Sequence, residues 1–185
     1  MKNYTKKLIA DTFTKMLISM PIGKITVTKL VEECGVNRQT FYYYFNDIYD
    51  LMEYNLMDKI EEFLAKEGSG ANWQGSVGRL VDFFTQNRKL VLHGYDAQNR
   101  TQYELFLQRN LFKTFFKFAE NYSKYDRLPE GKAEFVSRMF SIMTTGLLIE
   151  WIEKGLPDRR EIVIDDFFTM LNGEFEHCLS KFLPK

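Results

Sequence analysis

Cysteine is nearly absent from this chain. Cys34 and Cys178 are the whole supply, too few and too widely spaced for a disulfide framework, and no Cys/His spacing resembles a zinc site. A reducing cytoplasm fits that usage. Proline is scarce as well, with four in 185 residues, and no stretch alternates strictly between apolar and polar residues. Nothing asks for a sheet, and helices are expected throughout. A run of about 18 apolar residues is also missing, and the N-terminus carries lysines on an amphipathic pattern in place of an apolar signal core, so no membrane is expected as a partner. No G-x-G-x-x-G, Walker loop, H-E-x-x-H or G-x-S-x-G arrangement occurs, so neither an enzyme nor a cofactor is expected. His177 beside Cys178 does not restore a nucleophile, because adjacent helical positions point about 100° apart. A surface histidine and a core cysteine are the expectation. His93, in a short loop-like segment, is read as an ordinary polar residue before a cavity-lining one.

What the chain does have is apolar and aromatic mass, 45% and 16% of its residues, enough for one substantial core and a small satellite domain. Lysine plus arginine equals aspartate plus glutamate at 25 each, yet the charges are not evenly spread. From Met1 to Phe45 seven cationic residues stand against three acidic ones, a net +4; from Asn46 to Ala65 one stands against six, a net −5. A basic tip above an acidic helix suits a DNA-binding head, though the patch is modest.

That tip holds the most informative stretch, TVTKLVEECGVNRQTFYYYFNDIYDL, Thr26 to Leu51. Val27, Leu30 and Val31 recur at helical spacing behind Thr26 as N-cap, and Gly35 sits where a left-handed residue ends a helix. Asn37 caps a second short helix whose apolar positions are Phe41 and Phe45. Two short helices around a glycine turn make a helix-turn-helix, whose second helix can enter a DNA major groove. Arg38 suits guanine, Gln39 adenine, and the Thr40 methyl a thymine; the hydroxyls of Tyr42, Tyr43 and Tyr44 suit phosphate. One of the three tyrosines is expected to pack inward, since three consecutive helical positions cannot share one face.

GVNRQTFYYYFNDIYDL, preceded by ITVTKLVEE, resembles the DNA-binding domain of the TetR/AcrR family of transcriptional regulators, over the first quarter to third of the chain. The resemblance implies a homodimeric, all-helical regulator, read as a repressor, that binds a palindromic operator and receives a signal in a divergent C-terminal domain. It places DNA contacts on Thr26, Thr28, Asn37, Arg38, Gln39, Thr40, Tyr42, Tyr43 and Tyr44. One position departs: where the family commonly has a phosphate-binding lysine at the start of the fourth helix, this chain has Ile48, flanked by Asp47. The segment TTGLLIEWIEKGLPDRREIVIDDFF further resembles the branch that activates dihydroxyacetone kinase operons.

The remaining pattern gives an all-α fold with an N-terminal three-helix domain over residues 1–46, a connecting helix over 47–67 and a C-terminal helical domain over 71–185; the resemblance implies that the first binds DNA and that the last dimerises and can bind a ligand. The first helix is expected from Tyr4 to Met20, stopped by Pro21, with Lys2, Lys6 and Lys7 either solvated or on flanking phosphate. Gly68, Ser69 and Gly70 mark the boundary. A helix follows from Trp73 to about Asn87, then a short apolar piece, Leu90–Leu92, and a turn through Gly94 and Asp96–Arg100. Thr101 with Glu104 signals a capping box for a helix to about Tyr122, apolar on more than one side and so expected at the centre of its domain. Two long closing helices are expected, from about Glu130 to Lys154 and from Asp158, capped with Glu161, to Phe182. Their broad apolar faces suit either a four-helix seam with a second copy or packing within the chain; the resemblance favours the seam. The signal can come from a small-molecule effector in an aromatic pocket or from a protein partner, and the aromatics by themselves read first as core. A helical interaction module without DNA binding is the reading from a different class.

Overall fold

The computed structural model describes residues 2–67, 72–95, 99–157 and 165–184. The Gly68–Gly70 break, the Asp96–Gln98 part of the turn and the Asp158/Glu161 capping pair lie outside them. All regular structure among the described residues is helical, as expected: α1 (Lys2–Ser19), α2 (Val27–Cys34), α3 (Arg38–Tyr44), α4 (Ile48–Glu67), α5 (Trp73–Gln86), α6 (Arg88–Gly94), α7 (Arg100–Glu120), α8 (Lys132–Glu153), α9 (Asp166–Met170) and α10 (Glu174–Ser180), with single 3-10 turns at Ile22–Lys24 and Tyr125–Arg127. The helices gather into two compact units that interleave along the chain, one of residues 1–68 and 81–103, the other of 69–80 and 104–185.

In the first unit α1 is the central post, packed against α2, α4 and α6. Its apolar stripe delivers Ile9, Ala10, Phe13 and Leu17 to the interior. Leu30 and Val31 of α2, Phe41 of α3, Phe45, and Leu51, Met52 and Leu56 of α4 are buried with them. Each large side chain buried this way stabilises by about 1.5–3 kcal/mol, which two short helices need because neither is stable alone. Inside, Thr14 Oγ1 donates to the Ala10 carbonyl at 3.0 Å and lies 2.7 Å from the buried Asn55 amide. Leu90–Leu92, read as an apolar piece, lies in a true helix, α6, with His93 in its last turn. Seven residues span two turns, too few for a periodic stripe to declare itself.

The second unit is built around Trp73. Its ring lies 5.5–6.4 Å from those of Phe115, Phe140, Phe167 and Phe168, and Phe175 joins Phe140 at 5.0 Å in an edge-on pair. Such offset and T-shaped contacts suit the ring quadrupoles. This is the core that the aromatics predicted. The helix α7 begins at Arg100, so Thr101 lies inside it and does not cap it; the Asn99 carbonyl already accepts from Tyr103 N at 3.0 Å. Nor is α7 a central helix: Phe106, Leu107, Leu111, Phe115 and Ala119 are buried, while Phe112 and Phe116 stack at 5.7 Å half-exposed and Leu105 is exposed.

The two closing helices differ from each other. The helix α8 is long and ends as Gly155 and Pro157 foretell, with Gly155 N bonded to Ile152 O at 2.8 Å and Leu156 N to Trp151 O at 2.9 Å. By length and composition it could cross a bilayer, yet more than half of its apolar window is buried within the fold. Within the described residues the expected last helix is interrupted at Leu171–Gly173, which separates α9 from α10. Gly173 adopts φ 75°, a left-handed conformation that only glycine takes readily, and the chain turns there. On α8 one side is buried through Val136, Phe140, Leu148 and Ile152, while Phe135, Met139, Ile142 and Met143 are exposed on the other. Among the described residues the buried hydroxyls of Ser137 and Thr145 and the Trp73 indole N–H have no hydrogen-bond partner.

Candidate nucleic-acid interface

The helix-turn-helix forms as its capping residues dictate. The Thr26 hydroxyl accepts from Lys29 N at 3.3 Å and starts α2. At the other end Gly35 takes φ 66° and ψ 29°, with Gly35 N on Glu32 O and Val36 N on Val31 O, the pair of bonds that closes a helix and reverses the chain. Asn37 Oδ1 then accepts from both the backbone N–H of Thr40 at 2.7 Å and its hydroxyl at 2.9 Å. The N-terminus of α3 is thereby fixed by an exposed side chain.

Burial divides α3 cleanly. Phe41 is fully buried and Phe45, the residue that ends the helix, nearly so. Everything else is outside or at the rim: Arg38 and Gln39 are exposed, Tyr42 and Tyr43 are exposed, and Thr40 and Tyr44 are half-buried. The Tyr42 ring meets Phe41 edge-on at 5.3 Å, and Tyr43 meets Tyr44 at 4.9 Å. Tyr44 is therefore the inward member of the three tyrosines. Thr26 and Thr28 are exposed at the start of α2. Arg38 is exposed and has no ion-pair partner among the described residues, which leaves its forked guanidinium available for a bidentate contact. Cap, fork, amide and phenols thus lie within one short helix whose opposite side is locked into the core, the arrangement groove reading requires.

The start of α4 is chemically different. Asp47 Oδ1 accepts from Tyr49 N and Asp50 N, both at 2.8 Å, while Asp50 Oδ2 accepts from Asn46 N at 2.9 Å and Asn46 Nδ2 at 3.0 Å. Two carboxylates thus occupy the positive end of α4, where a phosphate could otherwise sit. Ile48 is buried in the head. The departure at Ile48 therefore extends beyond one missing lysine, since its neighbours repel phosphate.

Of the N-terminal lysines, Lys6 is engaged within the head: its Nζ lies 3.8 Å from the Tyr54 ring centroid and 5.3 Å from that of Phe45. This cation-π seat replaces the expected choice between solvent and phosphate. Lys7 is exposed, and the Lys2 side chain lies outside the described set. The seat was not legible beforehand, because Lys6 and Tyr54 are on different helices. Burial raises the Tyr54 phenol, helped by Asp58, Asp11 and Glu61, so it stays neutral. Burial likewise raises the Cys34 thiol, opposed by a hydrogen bond with Thr12 and aided by Glu33. Among the described residues no group of three or more His, Cys, Asp or Glu could hold a metal ion; His177 is exposed and Cys178 half-buried.

In the second unit a surface cleft of about 330 Å³ opens where α7 gives way to α8, lined by Phe116, Tyr125, Pro129, Glu130 and Glu134 among others. That volume is at the lower end of small-molecule sites. Glu134 is already paired with Arg138 at 2.6 Å.

Known proteins align with both halves. Residues 71–173 match the family described as the transcriptional regulator C-terminal region, of TetR type. The HTH-type dhaKLM operon transcriptional activator DhaS of Lactococcus lactis subsp. lactis (strain IL1403) is 25% identical over 84 residues, 45% of this chain and 45% of that protein. The match thus spans about half the length of that curated relative. Among solved structures, a dihydroxyacetone kinase operon activator DhaS superposes with a TM-score of 0.58 at 18% identity, covering 97% of this chain and 98% of the other. A tetR-family transcriptional regulator from Streptomyces coelicolor superposes at 0.54 and 11% identity, covering 97% and 88%. At such identities the superpositions speak for the fold alone.

Proposed function

Because the chain belongs to the TetR family of transcriptional regulators, we propose that it acts as a homodimer that reads a palindromic operator through α3 and is switched by a signal received in its C-terminal part. Regulators of this family bind DNA and form dimers. The observation that carries the proposal is the outward, capped face of α3: Arg38, Gln39, Tyr42 and Tyr43 are exposed while Phe41 is fully buried. In this reading residues 1–46 are the DNA head, 47–67 the connecting helix and 71–185 the dimerising and sensing part. Arg38 and Gln39 read base edges and the Thr40 methyl meets thymine. Tyr42, Tyr43 and Tyr44, with Thr26, Thr28 and Asn37, hold the sugar-phosphate backbone.

The second copy docks on α8. Phe135, Met139, Ile142 and Met143 lie at spacings of three and four on one face and are 37–53% exposed, an apolar stripe of the kind that a helical dimer covers. Two copies of α3 then meet successive major grooves roughly 34–36 Å apart. A signal acts only through its differential affinity for the operator-spaced and the mis-spaced arrangement. The cleft beside Phe116 and Tyr125 is the place we assign to a small-molecule effector.

Repression is the default sign for a protein that occupies an operator. The likeness to an operon activator favours a second reading, in which the same DNA-bound dimer activates and takes its signal from a protein partner. Selection of bound fragments from random duplex DNA tests the main proposal. An enriched palindrome is expected; recovery of none would leave only the interaction-module reading. A reporter driven by the enriched site then gives the sign.

A further inference from the structure

Pro21 deprives the Leu17 carbonyl of α1 of its helical donor. In an α-helix the carbonyl of Leu17 takes its bond from the N–H of residue 21, and residue 21 is proline, which has none. Leu17 is buried, 2% exposed, so water is a poor substitute. A side chain from far along the chain fills the place: His93 Nδ1, in the last turn of α6, lies 2.7 Å from the Leu17 oxygen. A carbonyl only accepts, so Nδ1 carries the proton in this bond and Nε2 is left to the other side of the ring.

The next residue tightens the same joint. Gly94 is buried, and a Cβ there would be in ordinary contact with the Leu17 side chain at 3.7 Å, Met52 at 3.9 Å and Tyr103 at 4.0 Å. Its carbonyl accepts from Asn99 Nδ2 at 2.8 Å, with Asn99 fully buried. The end of α6 is therefore pinned at one point against α1, α4 and the start of α7. Beside the pin is a void of about 10 Å³, walled in part by Leu17, Met52, Leu56 and Tyr103. The joint is thus held by two directed hydrogen bonds, from His93 to the Leu17 carbonyl and from Asn99 to the Gly94 carbonyl.

We infer that His93 is a positioning residue for DNA recognition. Its Nδ1–H, donated to the carbonyl that Pro21 leaves unmet, sets where α6 holds α1; α1 packs on α2, and α2 on α3. Without the bond each helix persists, but the end of α1 is free to settle elsewhere and the reading face is presented in a mixture of settings. This role rests on the DNA-binding reading above.

The full chain, as wild type, His93→Leu and His93→Asn, separates the two ideas. Asparagine keeps an amide donor at the place of Nδ1, whereas leucine keeps bulk and removes the donor. Two quantities are read: amide hydrogen exchange in the last turn of α1 and in α6, and the ratio of binding to the selected duplex over a scrambled one. In His93→Leu exchange at both places is expected to quicken and the ratio to fall roughly fivefold to tenfold, the worth of one hydrogen bond. In His93→Asn both should stay within about twofold of wild type. An unchanged ratio in the leucine variant, an asparagine variant as impaired as the leucine one, or a ratio that falls only with the folded fraction overturns the role of His93. A wild-type chain that prefers no duplex overturns the DNA-binding reading instead, while the exchange arm still decides whether the imidazole ties α6 to α1.

Discussion

Tyr42 on α3 and Phe135 on α8 are each 53% exposed, yet their faces are opposites. Around Tyr42 stand a guanidinium, two side-chain amides and further phenols; around Phe135 stand Met139, Ile142, Met143 and the Phe182 ring at 6.2 Å, with charge only at the edge, where Lys132 Nζ lies 5.2 Å over that ring and Arg138 pairs with Glu134. Both helices are anchored from behind by buried phenylalanines, Phe41 and Phe140. Equal exposure thus serves different neighbours. A face rich in donors is suited to a hydrated, charged polymer whose edges must be distinguished, and a face apolar at its centre with charge only at its edge to a dry surface of its own kind. What identifies a partner is the polar inventory of the outward side, since the fraction outside is the same.

The comparison breaks most visibly at α8. Met139→Glu combined with Ile142→Glu sets like charges against each other across a twofold seam, at a cost on the order of 3 kcal/mol or more. Light scattering should then show a monomer where the proposed seam makes the wild type a dimer, and operator binding should fall with it. A variant that stays dimeric would remove α8 as the seam. On α3 the expected loss is smaller and selective: Arg38→Ala should weaken operator binding by ~1–3 kcal/mol while leaving scrambled DNA almost unaffected. Fluorescence anisotropy on the two duplexes measures both, and equal losses on both would mean that Arg38 only touches phosphate.

A third change tests the scaffold under the reading face. Asn37→Ala removes the acceptor for both the amide and the hydroxyl of Thr40 and should lower folding stability by about 1 kcal/mol, within the usual 0.5–2 for a lost cap. Thermal unfolding would show it, and an unshifted midpoint would mean that the cap is replaceable by water.

The smallest effect concerns Cys34. Burial and Glu33 raise its thiol above the ordinary value of 9.0, so the folded chain gives up that proton later than the unfolded chain. The group's contribution to stability is complete below 9.0 and is lost as pH climbs through the raised value. Alkylation of Cys34 at pH 8 should accordingly run slower than that of a free cysteine, and an equal rate would contradict the burial.

Local signals were legible in the sequence and non-local ones were not. Thr26, Gly35 and Asn37 each act within four residues of themselves, and the structure places all three as their chemistry requires. The Asn172–Gly173 step that separates α9 from α10 is also a local signal, but strong apolar periodicity on both sides outweighs it. Thr101 and Glu104 show the reverse error: a correct capping pattern that is unused, because Asn99 is already bound to Gly94 and starts α7 earlier. The stripe of α8 is legible as apolar; its division into a buried and an outward half depends on what lies opposite. The seat of Lys6 on Tyr54 and the bond from His93 to Leu17 join residues far apart in the chain, beyond the reach of spacing arguments.

The pair of aspartates at the start of α4 has a consequence for how such a regulator would behave in a living cell. A clasp lacking a lysine there displaces fewer counterions when it closes on the duplex, so its affinity changes less steeply with ionic strength. Occupancy of the operator would then follow the amount of regulator and its signal, and would be comparatively indifferent to swings in intracellular potassium after osmotic shock.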